Sequence, residues 1–131
     1  VHCRDAAKEM LEVLSKLSND GCCPKGVMHC WSGNVKEMQE FLELGFYISF
    51  SGNVTFKNAR DIHECAKTVP SCRFLVETDS PFLSPVPLRG KRNEPSFVKH
   101  VVSKISELRD EEFSEIAEKS TQNSRELFGL P

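Results

Sequence analysis

Short apolar runs, each too brief for anything but a strand, alternate strictly with longer segments whose apolar residues recur at helical spacing. In "DAAKEMLEVLSKL" the residues Ala7, Met10, Leu11 and Leu14 share one helical face, with Asp5 placed to cap it. "GVMHCWSG" reads as a short buried strand and a turn, and "NVKEMQEFLEL" as a helix capped by Asn34, with Glu37 three residues on and Gly45 just past its end. "FYISFSG" is a predicted strand, "NARDIHECAKTV" a helix presenting Ala59, Ile62, Ala66 and Val69, and "RFLVETD" a strand. Pro95 opens a helix through "SFVKHVVSKISEL", and two short helical segments capped by Asp110 and Thr121 are expected to finish the chain.

Strands of this kind, each followed by a helix, pair in parallel and are covered by helices. They begin near Val1, Val27, Phe46 and Arg73. The fold class is therefore α/β with parallel strands, and four βα units are half of a (β/α)₈ TIM barrel of about 250 residues. An open doubly wound sheet is the alternative, but the Gly-rich phosphate fingerprint after its first strand is absent. Residues 1–131 are read as a single partial domain, the C-terminal half of such a barrel, because the chain opens on Val1 without an initiator Met and already inside a strand-like run. A half barrel has two unpaired strand edges.

The composition, 39% hydrophobic and 27% charged with a formal net charge of −2, is that of a globular chain. It excludes a nucleic-acid binder that relies on a generally basic surface, so any contact with a polyanion must come from a local patch or from bound cations. No apolar run approaches about 18 residues and no signal-peptide pattern is present. The expectation is a cytoplasmic protein, or a nuclear one in a eukaryote, with no membrane partner and monomeric at full length. Cys3, Cys22, Cys23, Cys30, Cys65 and Cys72 show no paired C-x-x-C spacing, so reduced thiols are expected instead of a disulfide framework or a Cys/His zinc site.

In a parallel barrel the chemistry sits at the carboxyl ends of the strands. The polar residues there are His2, His29, the Ser51–Gly52 turn and Asp79. Alternation along a strand puts His29 with Val27, and Asp79 with Glu77 and Leu75, while the cysteines beside the histidines face away. Two histidines and a carboxylate converging on one rim suit Zn²⁺, Mn²⁺ or, with more oxygen ligands, Mg²⁺. Glu77, one inward step below Asp79, must be paired to be tolerated and is expected to support the ligands from below. His63 and His100 fall in helices and are read as structural. The following loop, "PLRGKRNEP", brings Arg89 and Arg92, whose forked guanidinium groups fit phosphate oxygens, with Asn93 beside them. Ser32 and Gly33 offer a second anion site at the start of the next helix.

"HCRDA" at 2–6, "HCWSG" at 29–33, "GFYISFSGNVTFKNA" at 45–59, "VETDSPFLSPVPLRGKRNEP" at 76–95 and "TQNSRELFGL" at 121–130 together resemble the TatD family of metal-dependent deoxyribonucleases, over essentially the whole chain. The resemblance implies a TIM-barrel hydrolase of DNA phosphodiester bonds, acting on single strands from an end, with two divalent cations. It carries the family's metal-ligand roles to His2, His29 and Asp79, with Asp79 also a candidate acceptor of the attacking water's proton. The family's His-x-His pair and bridging glutamate have no counterpart here, which implies that they lie upstream of Val1. The alternatives are a related metal-dependent hydrolase of another ester or amide, such as a D-aminoacyl-tRNA, and a catalytically inactive fragment.

Overall fold

The structure, a computed structural model, describes residues 1–22 and 25–131, so Cys23 lies outside the described residues. Helix α1 (Ala7–Asn19) is followed by strand β1 (Val27–Met28), helix α2 (Val35–Glu43), strand β2 (Tyr47–Phe50), helix α3 (Arg60–Thr68), strand β3 (Phe74–Val76) and helices α4 (Val98–Arg109) and α5 (Phe113–Phe128). Short 3₁₀ turns at Gly52–Thr55 and Pro95–Phe97 precede α3 and α4. The sheet is parallel throughout in the order β1-β2-β3, with Met28 opposite Ile48, Ile48 opposite Phe74 and Phe50 opposite Val76. The α/β alternation read from the sequence is the observed architecture.

The strand expected at Val1 shrinks to one parallel bridge between His2 and His29, with the Val1 amino group donating to Val27 O at 2.8 Å and His29 N to Val1 O at 2.9 Å. Its end is set by Asp5, whose φ of 53° turns the chain out of extended geometry. Asp5 is therefore a turn residue and not the predicted helix cap: α1 starts after Ala6 with no side-chain cap. By contrast Asn34 forms the expected capping box, Glu37 N donating to its Oδ1 at 3.0 Å and Asn34 N to Glu37 Oε2 at 2.9 Å.

Alternation splits the sheet into two faces. Met28, Ile48, Phe50 and Phe74 pack with Phe41, Val101, Ile105 and Ile116 into the core under the helices. Val27, His29, Tyr47, Ser49, Leu75 and Glu77 belong to the opposite face. Among the described residues no helix is long and apolar enough to cross a membrane.

Two predicted terminal helices are one. Thr121 sits inside α5, where its Oγ1 donates to Ala117 O at 2.8 Å, and Asp110, with φ 53° and ψ 43°, closes α4 instead of opening the next helix. The long helix covers an edge. Ser120 Oγ accepts from Val76 N at 3.1 Å, and Asn123 Nδ2 donates to Phe74 O at 2.8 Å and to Ser71 O at 2.9 Å. The outer edge of β3 is thus partly satisfied by helix side chains, where an unpaired edge was expected, because the ladder groups there are met by Asn and Ser of "TQNS".

At the amino ends of the strands, Arg109 donates to Ala66 O, Val69 O, Ser71 Oγ and Glu111 Oε1, with its guanidinium 5.6 Å above the Phe74 ring centroid. Lys119 Nζ completes the cluster 2.5 Å from Glu111 Oε2. These two hydrogen bonds, from Lys119 first and Arg109 second, hold the Glu111 carboxyl below its usual range. A depressed folded pKa stabilises the fold above the unfolded value, and that contribution is lost as pH falls through the folded value. Glu111→Gln should therefore flatten the acid limb of a urea-midpoint profile below about pH 4.5. An unchanged limb would show that Glu111 is uncoupled from folding.

Candidate metal centre

Two chain segments converge at the carboxyl end of the sheet. His29 follows β1, Glu77 follows β3 with its N–H still donating to Phe50 O at 2.9 Å, and Asp79 stands two residues further on. Donor atoms of these three side chains lie within 4.8 Å of one another. His29 Nδ1 is 2.7 Å from Glu77 Oε1, and His29 Nε2 is 3.3 Å from Asp79 Oδ1.

Each ring nitrogen therefore faces a carboxylate. A neutral imidazole carries one N–H and can donate to only one of the two. The Glu77 contact is close but poorly directed, and Glu77 Oε1 is a buried side-chain oxygen without a hydrogen-bond partner among the described residues. A cation fits this arrangement. Two donors each about 2.1 Å from a tetrahedral ion stand roughly 3.4 Å apart, close to the Nε2 to Oδ1 separation. One imidazole and two carboxylates form a borderline-hard set that divalent ions accept.

The trio differs from the set His2, His29, Asp79 read from the strand ends. The His2 ring is 5.8 Å from that of His29, centroid to centroid, and it is exposed beside the trio instead of inside it. His2 and Asp79 nonetheless border one open side: both line a cavity of about 570 Å³ together with Asp5, Cys30, Phe82 and Leu83.

Backbone strain concentrates on this cavity. Among the described residues five non-glycine residues have positive φ, and four of them, Asp5, Cys30, Asp79 and Leu83, line it; the fifth is the helix-ending Asp110. Such conformations are uncommon outside glycine and persist where surrounding structure enforces them. At Asp79 the φ of 59° means that a turn, and not strand pleating, aims the carboxylate at His29. At Cys30 the φ of 51° breaks the alternation, so its thiol reaches the cavity wall at 3.1 Å from Ser51 Oγ instead of facing away. Burial, the largest influence, raises that thiol's pKa, which keeps it protonated and unreactive. Cys3 also lines the cavity.

The loop after Asp79 is pressed against the 3₁₀ turn that follows β2. A Cβ on Gly52 would lie 1.8 Å from Leu83 O, and Val86 N donates to Thr55 Oγ1 at 2.9 Å. Asn93 is buried, with both amide hydrogens committed to Thr78 O (2.7 Å) and Phe82 O (2.6 Å) and its Oδ1 to Glu94 N (2.9 Å). Read from the sequence as a phosphate ligand, Asn93 is instead a staple of this loop, its donors already spent within the protein. Arg89 stacks its guanidinium 3.8 Å above the Phe56 ring centroid, while Arg92 is exposed on the loop and Ser32 is exposed on the cavity wall. Asn53 is a cavity residue that sequence reasoning missed; its buried side chain ties Ser51 Oγ (3.0 Å) to Trp31 O (2.9 Å), a link invisible until β1 and β2 are adjacent.

The profile of the family described as TatD related DNase matches residues 1–129. The chain is 44% identical over 130 residues to YabD of Bacillus subtilis and 44% identical over 130 residues to YcfH of Escherichia coli K12, both named uncharacterized metal-dependent hydrolases. These alignments cover 99% of this chain but 50% and 48% of the relatives, so the chain spans about half the length of the curated relatives it matches. Among solved structures, the TatD homolog YJJV of Escherichia coli superposes with a TM-score of 0.88 at 28% identity, and a TatD family hydrolase of Entamoeba histolytica with 0.84 at 25%. They are covered over 49% and 50% of their length, against 99% of this chain in both cases. The parallel α/β fold is that of half a TatD-type TIM barrel. By its profile match from end to end and by these relatives, the chain belongs to the TatD-related DNase family.

Proposed function

We propose that this chain carries part of the active site of a metal-dependent phosphodiesterase that hydrolyses DNA. The observation that carries the reading is the two-sided His29, with Glu77 at one ring nitrogen and Asp79 at the other. In this reading His29 and Asp79 hold a divalent cation at the rim, Glu77 fixes the His29 ring through Nδ1, and His2 offers a further nitrogen from beside them. A cation bound there would supply charge stabilisation for a phosphodiester and lower the pKa of an attacking water. The Asp79 oxygen turned from His29 is placed to accept a proton, and Arg92 and Ser32 to hold the flanking phosphate. A second cation would need ligands beyond those that converge here.

Cleavage of a single-stranded oligonucleotide by the protein as its gene encodes it tests the reading. Activity should disappear with chelator and return with Mn²⁺, and Arg92→Ala should raise KM about tenfold with little change in kcat. Metal-restored activity on a carboxylic ester or amide, with none on the oligonucleotide, would replace phosphodiester hydrolysis by the related chemistry.

A further inference from the structure

Phe82 is the most exposed large apolar side chain among the described residues, at 69%, and it stands on the wall of the same cavity as Asp79 and His2. Exposure of this kind is ordinary on a loose loop, where the ring is free to find cover. Here the backbone is fixed. Phe82 N donates to Asp79 O at 2.9 Å, Phe82 O accepts from Asn93 Nδ2 at 2.6 Å, and Asn93 N donates to Pro81 O at 3.1 Å. The next residue, Leu83, has a φ of 51°, and its carbonyl is seated so closely on Gly52 that a Cβ there has no room. A rigid loop thus leaves an aromatic face uncovered by the described residues, three residues from the candidate ligand Asp79.

From this geometry we propose that Phe82 is a stacking platform for an unpaired nucleobase of the substrate, next to the nucleotide whose phosphate reaches the metal centre. The inference rests on the phosphodiesterase reading and gives the expected single-stranded substrate a contact for its bases, since a paired base has no free face to offer. Aromatic rings accept every base because all have a π-face, while phosphates are met by cations. The same loop carries exposed Arg89, Lys91 and Arg92, the local basic patch that a chain of net charge −2 needs to meet a polyanion. Of the other exposed apolar residues, Val13, Leu17, Phe113 and Phe128 lie on helices, and Val86, on the same loop, is aliphatic and less exposed.

The test separates bases from phosphates. Trp31, the one tryptophan of this chain, is buried, so Phe82→Trp adds an exposed indole at the proposed platform, read as the difference in emission from the unaltered protein. Titration of the metal-free protein with an oligonucleotide of about eight nucleotides should quench that exposed emission, whereas an abasic deoxyribose-phosphate oligomer of equal length should not. Phe82→Ala should weaken binding of the base-bearing oligomer about tenfold and leave the abasic one unchanged, and Phe82→Tyr should restore it. Equal losses for both oligomers, or no loss for either, would overturn the platform while leaving the hydrolase reading intact. If the unaltered protein binds neither oligomer, the nucleic-acid substrate itself is wrong and the platform falls with it.

Discussion

Asp79→Asn should lower metal-dependent hydrolysis by about 10³-fold, roughly 4 kcal/mol of transition-state stabilisation, while the protein stays folded. Asparagine is the informative replacement. Asp79 has a φ of 59°, a conformation that Asn adopts as readily as Asp, so alanine would add backbone strain to the loss of the carboxylate. The substitution also removes one of two acids directed at a single imidazole, so the urea midpoint of the metal-free variant should not fall. Lost activity at undiminished stability is the signature of a functional residue held against its own fold. A large fall in midpoint would instead make Asp79 a structural acid.

Gly52→Ala has the largest expected effect on the fold. The added Cβ would stand 1.8 Å from Leu83 O and 3.3 Å from Pro85 N, both backbone atoms that no rotamer change can move aside. The segment from Asp79 to Leu88 must therefore lift, losing the Val86 N bond to Thr55 Oγ1 and loosening the turn that aims Asp79. A cost of about 3 kcal/mol in urea denaturation is expected, at the upper end of overpacking effects. A midpoint shift worth less than about 0.5 kcal/mol would mean that the loop is not seated on the Gly52–Thr55 turn as described.

Much of this was legible in the residues, and the reasons differ from place to place. The Asn34 capping box follows from a local pattern that no long-range contact overrides. Thr121 misled because a hydroxyl that donates to the carbonyl four residues back and one that caps a helix look alike in sequence. Cys30 escaped the strand alternation by a single left-handed residue, and Asp79 reached His29 through the same kind of turn. Neither turn has a glycine to announce it. Asn93 looked like a ligand because it follows Arg92, yet its partners Thr78 and Phe82 lie 15 and 11 residues earlier, and only the folded loop brings them together. The pairing of Glu77 with His29 was half legible: alternation put both on one face, but the match in height between the ends of β1 and β3 is set by the register through β2.

The most direct test of the metal centre is a titration of Mn²⁺ into the metal-free protein, followed by the loss of the free-ion electron paramagnetic resonance signal. Saturable binding is expected, weakened at least about a hundredfold by His29→Ala and about tenfold by Glu77→Gln, which acts on the ion only through the His29 ring. Equal affinity in the unaltered protein and in His29→Ala would contradict a cation held between His29 and Asp79.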